Sequence, residues 1–379
     1  MEIYNRKKNY KNSDIEEIEI NDSIIKEKAF KDCHSLKRVI INSGLRKIDS
    51  EAFLNCTSLE SIIIPDGTEK IKFCAFKGCT SLRIVVMPKT MVRIGKGAFL
   101  ECIALKEITI PDGIAKIEEE AFCYCESLVS VSIPNSVEEI EDFAFSGCTS
   151  LEDISLPNGI KRIGARAFAE CSSLTNIPVP ESVINIGSGC FCGCSSLTNI
   201  ILPQNIEIIG GFAGCKLLES IVIPENVKII RWFAFEGCRS LKNVTFLDGV
   251  ARIEKDAFKD CVSLTNIEIP YGTVAIERGA FSNCISLKTV TLPDTLLRIG
   301  SDTFDGCDSL EKLTVPKHTK ISDEVYNQRC IQKQLDDFWA HKDIIDFEID
   351  FDPVWCNFFK TEKGKERLNH IIHRSSENM

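Results

Sequence analysis

Residues 148–171 read CTSLEDISLPNGIKRIGARAFAEC, and this stretch recurs with small changes along most of the chain. Its phenylalanine lies three residues before its closing cysteine. Successive closing cysteines are 23 residues apart, except for one step of 21 residues between Cys194 and Cys215. A strict period of this length is typical of a solenoid, in which each repeat is one structural unit that contacts only its neighbours. The recurring phenylalanines are Phe30, Phe53, Phe76, Phe99, Phe122, Phe145, Phe168, Phe191, Phe212, Phe235, Phe258, Phe281 and Phe304.

One repeat contains the signals of two short extended segments. Ile154 and Leu156 alternate with polar residues, which indicates a strand with one buried face. Pro157 ends that strand because proline cannot donate a hydrogen bond to a sheet, and the Asn-Gly pair that follows favours a turn. Ile160 and Ile163 predict a second extended segment. The phenylalanine is expected to stack on its equivalents, so the sequence predicts a mainly β repeat solenoid.

The cysteines are better explained by the core than by disulfide bonds. Thirteen of the nineteen cysteines occupy the same position of the repeat. Disulfide-rich domains use cysteine because they lack a core, whereas each repeat here has apolar residues of its own, and a free cysteine behaves as a small apolar residue. We therefore expect a buried ladder of thiols. A few bridges under oxidation remain an alternative, because stacked repeats would lie about 5 Å apart, close to the Cα spacing of a disulfide.

Charge and hydropathy narrow the classes of partner. The chain of 379 residues has a net charge of −10, no long basic run and no stretch of transmembrane length. We therefore expect neither nucleic acid nor membrane insertion. The N-terminal residues include lysines and an arginine but no apolar segment behind them, unlike a secretory signal. On this basis a cytoplasmic location is expected.

The repeated pattern Cys-x-Ser-Leu-x-x-Ile-x-Ile-Pro with Ala-Phe resembles the BspA-type class of leucine-rich repeats. The resemblance extends from residue 15 to about residue 316 and includes thirteen near-copies. It implies a right-handed, curved solenoid with a parallel sheet on its concave side. It also implies a binding role, because many members of the family are surface antigens or adhesins that bind host or matrix proteins. A cell-surface location is therefore the alternative to the cytoplasmic one.

The pattern divides the chain into three parts. Residues 1–14 are predicted to be a polar tail, residues 15–316 a solenoid of about thirteen repeats, and residues 317–379 a small, mostly helical C-terminal segment. The last segment contains Trp339 and Trp355. It is expected to cap the open core of the last repeat, or to dock a partner through its aromatic residues.

Two irregularities lie side by side near the middle of the array. Pro178 takes an outward strand position, where it removes a hydrogen-bond donor. The repeat that ends at Phe212 is two residues short and has Gly210 and Gly211 in place of the usual spacer. We expect a kink, a bulge or an altered curvature between residues 175 and 215. Neutral drift in a tolerant array is the alternative explanation.

The outward positions of the first strand are the candidates for a partner-binding face. An apolar stripe is predicted near the N-terminal end and a smaller apolar patch in the middle, and contiguous exposed apolar residues tend to mark interaction sites. Plain β-propensity of Ile and Val is the alternative explanation. The candidates are Arg38, Ile40, Ser61, Ile63, Ile84, Val86, Glu107, Asn199, Ile201 and Val222, together with Trp339 and Trp355.

No catalytic or cofactor motif accompanies these candidates. Cys190, Cys192 and Cys194 could hold a soft metal, but two of them occupy core positions and a zinc site needs about four converging ligands. His370 and His373 with Cys356 are also one ligand short. No nucleophile elbow, phosphate loop or His-Glu-x-x-His motif is present. The sequence therefore predicts a non-enzymatic protein-interaction scaffold without a cofactor, with a surface adhesin as the alternative.

Overall fold

The computed structural model describes residues 2–247 and 249–321, which form two rows of short parallel strands. The first row holds the alternating segment of each repeat. Its strands are β1 (Glu2–Ile3), β2 (Glu17–Ile20), β4 (Arg38–Ile41), β6 (Ser61–Ile63), β8 (Ile84–Val86), β10 (Glu107–Thr109), β12 (Ser130–Ser132), β17 (Ser220–Ile223), β19 (Asn243–Phe246), β21 (Asn266–Glu268), β23 (Thr289–Thr291) and β25 (Lys312–Leu313).

The second row is built from the two-residue segment that follows the turn in each repeat. Its strands are β3 (Ile24–Ile25), β5 (Lys47–Ile48), β7 (Lys70–Ile71), β9 (Arg93–Ile94), β11 (Lys116–Ile117), β13 (Glu139–Ile140), β14 (Arg162–Ile163), β15 (Asn185–Ile186), β16 (Ile208–Ile209), β18 (Ile229–Ile230), β20 (Arg252–Ile253), β22 (Ala275–Ile276), β24 (Arg298–Ile299) and β26 (Lys320–Ile321).

Every paired strand is parallel to its neighbour, and equivalent residues of successive repeats face one another. In the second row, for example, Ile140 is in register with Ile163, one repeat later. This confirms the predicted mainly β, parallel solenoid. The described ranges, 2–247 and 249–321, contain no α-helix. The right-handed curvature and the concave placement of the first row stay predictions from the family resemblance.

The core is a continuous stack of phenylalanine rings. Neighbouring ring centroids lie 5.1–6.0 Å apart from Phe30 to Phe304. Parallel strands in register carry equivalent side chains to the same depth, so identical rings meet face over face. No ring of this stack is more than 1% exposed. Burial of this kind in every repeat is what holds the array together, because each repeat is covered by its neighbours.

The repeat cysteines form a ladder beside this stack. Each thiol from Cys56 to Cys307 donates a hydrogen bond to the carbonyl of the phenylalanine of the preceding repeat, at 3.1–3.3 Å. All cysteines among the described residues are free. The prediction of a buried thiol ladder is therefore confirmed. Cysteine suits this position because it is small and apolar and still satisfies a buried carbonyl.

Two residues in each repeat adopt left-handed backbone angles, and they flank the Ala-Phe pair. In one repeat these residues are Arg166 (φ 52°) and Glu170 (φ 59°), on either side of Phe168. Side chains other than glycine rarely adopt such angles. The repeated stacking of backbone hydrogen bonds from one repeat to the next holds them there.

The expected polar tail over residues 1–14 needs correction. β1 pairs in parallel with β2, and Tyr4 and Tyr10 are buried. Tyr10 takes the place of a phenylalanine, since its ring lies 5.3 Å from that of Phe30 and its carbonyl accepts the thiol hydrogen bond of Cys33. These residues are a degenerate repeat that closes the N-terminal end of the core. The two tyrosines do so without the repeat spacing that reveals the other units.

The other end of the solenoid also extends past its predicted boundary. β26 pairs with β24, so the second row continues to residue 321 rather than ending at residue 316. The predicted helical cap and both tryptophans assigned to it lie outside the described residues.

The irregularity expected between residues 175 and 215 takes the form of a break in both rows. The first row is reduced there to single bridges that join Asp153, Asn176 and Asn199. The second row is interrupted between β15 and β16, and the rings of Phe191 and Phe212 tilt by 22°. The first row also breaks between β8 and β10 and between β19 and β21, and the second row between β9 and β11. Only the break near residue 210 coincides with a change of repeat length.

Candidate partner-binding face

The outward residues of the first row form the candidate face. Strand geometry places alternate residues on opposite sides, so Ile62 is buried while Ser61 and Ile63 point outward. Ile63, Ile84 and Val86 are 65%, 57% and 47% exposed. Ile63 is in register with Val86, and Ser61 with Ile84. These three apolar side chains, which we call the N-terminal stripe, therefore lie on two adjacent strands of one sheet.

Ile40 belongs to the same line of outward positions but is only half-exposed. The line continues to Ile3 at the edge of the sheet, because Ile3 is in register with Glu19 and Glu19 with Ile40. Ile3 is 59% exposed. The sequence pattern missed it because β1 lies 16 residues before β2 instead of 23. In the sequence, the only signal for β1 was a pair of strand-like residues before the first recognisable repeat.

Polar candidates border the N-terminal stripe. Arg38 lies 3.9 Å from Glu17, and both side chains are largely exposed. An exposed ion pair of this kind contributes little to stability, so Arg38 is available to a partner. Ser61 and Glu107 are exposed on the same face. The apolar stripe thus has a polar rim, which is the usual composition of a protein–protein interface.

The second patch lies where the first row is broken. Ile201 and Val222 are 70% and 49% exposed, and Asn199 is exposed beside them. The outward residues between this patch and the N-terminal stripe include Thr109, Ser130 and Ser132, which are polar. The two patches are therefore separate. Trp339 and Trp355, the remaining candidates, lie outside the described residues.

The second row presents a line of basic residues that is largely neutralised. Lys47, Lys70 and Arg93 are in register. Lys47 lies 3.1 Å from Asp49, and Arg93 lies 3.1 Å from Glu118. Interleaved carboxylates of this kind cancel the field that a phosphate backbone would need.

The cysteines offer no reactive thiolate in the core. Burial raises the pKa of Cys238 to about 12 and that of Cys123 to about 11. A thiol with such a pKa stays protonated at neutral pH, and only the thiolate is a good nucleophile or metal ligand. Cys190 and Cys194 are buried while Cys192 is half-exposed. Among the described residues, no three His, Cys, Asp or Glu side chains are grouped to hold a metal ion.

A family model described as the BspA type leucine rich repeat region matches residues 5–129, 115–212 and 210–332. The chain belongs to the BspA-type leucine-rich repeat family. These matches include Tyr10 and β26 but begin after Tyr4. A search of curated proteins gave no match.

Solved structures agree with this family assignment. A leucine-rich repeat protein from Bacteroides ovatus is 31% identical, with a TM-score of 0.66 over 79% of this chain and 86% of that one. A leucine rich cell surface protein from Faecalibacterium prausnitzii is 26% identical, with a TM-score of 0.55 over 84% and 85% of the two chains. A leucine-rich repeat protein from Eubacterium ventriosum, 22% identical over 81% of each chain with a TM-score of 0.50, shares the fold.

These relatives bear on location as well as on fold. The Faecalibacterium prausnitzii relative is described as a cell surface protein, so the expected cytoplasmic location finds no support among these relatives. In the ranges 2–247 and 249–321, no helix has the length and hydropathy that crossing a bilayer requires.

Proposed function

We propose that this BspA-type protein is a non-enzymatic binding protein of the cell surface that recognises a protein partner through the outward face of its first row of strands. The N-terminal stripe carries this proposal. Exposing Ile63, Ile84 and Val86 to water is unfavourable, and a contiguous apolar patch with a polar rim is the kind of surface that partners cover. Ile3 and Ile40 extend the same surface towards the N-terminal edge.

The other candidate residues have supporting parts in this proposal. Arg38, Ser61 and Glu107 would contribute specificity at the rim, and the patch formed by Asn199, Ile201 and Val222 would serve as a second point of contact. Residues 317–379, with Trp339 and Trp355, are proposed to cap the array or to dock the partner. The surface location rests on the similarity to the Faecalibacterium prausnitzii protein.

Site-specific photo-crosslinking on native cells tests the proposal. A photoreactive phenylalanine analogue replaces Ile63 in one strain and Ile184 in a control strain, because Ile184 is 64% exposed but does not lie on the first row. After illumination, we expect a discrete protein adduct from position 63 and none from position 184. The same adducts from both positions would remove the N-terminal stripe from the account.

A matched pair of charge variants then tests energetics, and protease treatment tests location. Ile63→Glu with Ile84→Glu should abolish the adduct formed from a reporter at position 86, because burying unpaired carboxylates is costly, while Ile184→Glu should leave it unchanged. Both variants should keep the circular dichroism spectrum of the parent protein.

Protease treatment of intact cells is expected to digest the repeat array. Full protection until lysis would indicate an intracellular scaffold and would contradict the surface location.

A further inference from the structure

In each repeat, we call the segment that follows the second-row strand and includes the Ala-Phe pair the arc. The left-handed residue before Ala-Phe takes part in a ladder of backbone hydrogen bonds between the arcs of successive repeats. In each regular repeat its N–H donates to the carbonyl of the residue one position earlier in the next repeat. Arg166 N–H donates to the Ser188 carbonyl at 3.0 Å, and Phe233 N–H donates to the Lys255 carbonyl at 3.1 Å. The bonds therefore connect all the arcs of consecutive regular repeats.

The short repeat removes one rung from this ladder. Between Ile209 and Phe212 it has only Gly210 and Gly211, where the next repeat has Arg231, Trp232, Phe233 and Ala234. The missing residues are therefore the equivalents of Trp232 and Phe233. As a result, within residues 2–247 and 249–321, Gly189 N–H has no acceptor and the Trp232 carbonyl has no donor.

Three further donors are left unpaired at the same place. The N–H groups of Gly210, Gly211 and Ala213 make no hydrogen bond to any residue of the part of the chain described here. Gly210 and Gly211 are nevertheless buried. A buried N–H without a partner is costly, so this region is suited to a ligand that brings hydrogen-bond acceptors. We call the space bounded by Gly189, Gly210, Gly211 and Trp232 the recess.

Glycine lets the short arc pass close to the arc of the preceding repeat. A Cβ on Gly211, whose φ is +106°, would lie 2.6 Å from the backbone nitrogen of Cys190 and 2.9 Å from that of Gly189. No side chain fits such a contact, so the short arc lies directly against its neighbour. The arc of the following repeat, which carries Trp232, is two residues longer and stands beyond it.

The side chains of two arginines border the recess, and the guanidinium of Arg166 lies 5.9 Å from the Phe143 ring. A Cβ on Gly189 would lie 3.0 Å from the Cγ of Arg166, and a Cβ on Gly210 would lie 3.1 Å from the Cβ of Arg231. Neither guanidinium has a carboxylate partner among the described residues. Glu254 lies at the rim of the recess and already accepts a hydrogen bond from the backbone N–H of Trp232, and Glu170 and Glu236 lie near Arg166 around Cys192. The two arginines therefore favour an anionic ligand.

The remaining side of the recess is aromatic. Trp232 is 68% exposed and Phe233 is 38% exposed, with the ammonium of Lys255 lying 5.8 Å from the Phe233 ring. The arc of the preceding repeat, which lies next to these rings, is the one that is short. Large aromatic residues in such positions are typical anchors of protein interfaces.

We propose that the recess binds an extended peptide segment of a partner protein, in which an acidic residue lies next to an apolar one. A peptide group would offer its carbonyl to Gly189 N–H and its N–H to the Trp232 carbonyl, as the peptide bond between the two missing residues does in a regular repeat. A fully deprotonated anion such as sulfate has no donor for the Trp232 carbonyl. The carboxylate would pair with Arg166 or Arg231, and the apolar side chain would cover Trp232. This site is separate from the N-terminal stripe and does not depend on it.

Binding of a short blocked peptide to the full chain tests the proposal. The probe is fluorescein-labelled Gly-Glu-Val-Asp-Gly amide, measured by fluorescence polarisation, with Gly-Lys-Val-Lys-Gly amide as the matched control. We expect the acidic peptide alone to bind. Trp232→Ala should weaken its binding about 30-fold, as truncation of an interface anchor does, and Leu297→Ala should not, because Leu297 is a similarly exposed residue away from the recess.

A repaired solenoid gives a second, independent variant. Inserting Ser-Asn between Gly210 and Gly211 restores the regular spacing, refills the rung and should abolish binding while the protein stays folded. Hydrogen exchange of the Gly189 amide should be fast in the free protein and slow with the peptide.

Four outcomes would overturn the proposal. The first is that the lysine peptide binds as well as the acidic one, and the second is that Trp232→Ala and the Ser-Asn insertion both leave binding unchanged. The third is that inorganic phosphate displaces a peptide that still binds normally to Trp232→Ala. The fourth is that the Gly189 amide is already protected from exchange in the free chain. The third would indicate an anion site only, and the fourth would show that a segment of the chain itself fills the recess.

Discussion

The ladder of buried thiols predicts that this protein is unusually sensitive to alkaline pH. Burial raises the pKa of twelve of the thirteen repeat cysteines, from Cys33 to Cys284. In the unfolded chain the same thiols ionise at a pKa of about 8.5–9. A group whose pKa is raised by folding stabilises the protein fully below its unfolded pKa, and that stability is lost as the pH rises towards the folded value.

The size of the effect follows from proton linkage. At pH 10, one pH unit above an unfolded pKa of about 9, ionisation favours the unfolded state by roughly 1.4 kcal/mol for each thiol that stays protonated in the fold. The ten thiols whose pKa is raised furthest, which are the twelve without Cys33 and Cys79, together reach on the order of 14 kcal/mol, which is comparable to the whole stability of a typical domain. We therefore expect the protein to be stable at pH 8 and to unfold without denaturant near pH 10.

Urea denaturation followed by circular dichroism, at several pH values from 7.5 to 10 and with a reductant present, measures this dependence. Cys148→Ala removes one ladder thiol, so its stability difference from the parent should shrink by roughly 0.8 kcal/mol between pH 8 and pH 9.5, below the pH at which the parent unfolds. Thr149→Ala, at the exposed neighbouring position, should leave the pH slope unchanged. An unfolding free energy that is the same at pH 8 and pH 10, or an unaltered slope in Cys148→Ala, would refute the reasoning.

Three further predictions concern packing and caps. Phe145→Ala should lower the free energy of urea unfolding by about 3–5 kcal/mol, because its ring is stacked on both sides at 5.5 Å; a loss below about 1 kcal/mol would contradict stacking as the main source of stability. Tyr10→Ala should speed hydrogen exchange in β1 and β2 and leave β19 unchanged, since Tyr10 closes only the N-terminal end; uniform exchange would argue against a cap. Thr273→Val should cost about 1 kcal/mol in thermal unfolding, because the buried hydroxyl donates to the Val250 carbonyl at 2.7 Å; a more stable variant would show that this carbonyl is satisfied without it.

Much of the fold could be predicted because the repeat is strict. The alternation around Ile154 and the position of Phe168 recur with a constant period, and a constant period forces equivalent residues into register. The buried cysteines followed from the same reasoning. The N-terminal cap did not, because Tyr4 and Tyr10 do the work of a phenylalanine without the spacing or the consensus that reveals the others.

The candidate face was only partly predictable. Strand alternation placed Ile63 and Ile84 outward, and the structure agrees. Ile40 is less exposed than expected, and Ile3 joins the line from outside the repeat pattern. Trp232 was not singled out as a surface residue, although it occupies an outward position that is also exposed at Phe73 in a regular repeat.

The sequence by itself determined the unit and its stacking, because a period of 23 residues with fixed apolar positions permits only one arrangement of equivalent strands. The tertiary structure decided what happens where that period fails. At the two ends and at the short repeat, hydrogen bonds and burial depend on which residues of the neighbouring repeat are present. Tyr10 therefore becomes a cap, and Trp232 faces an open recess, through contacts between residues that no local pattern connects.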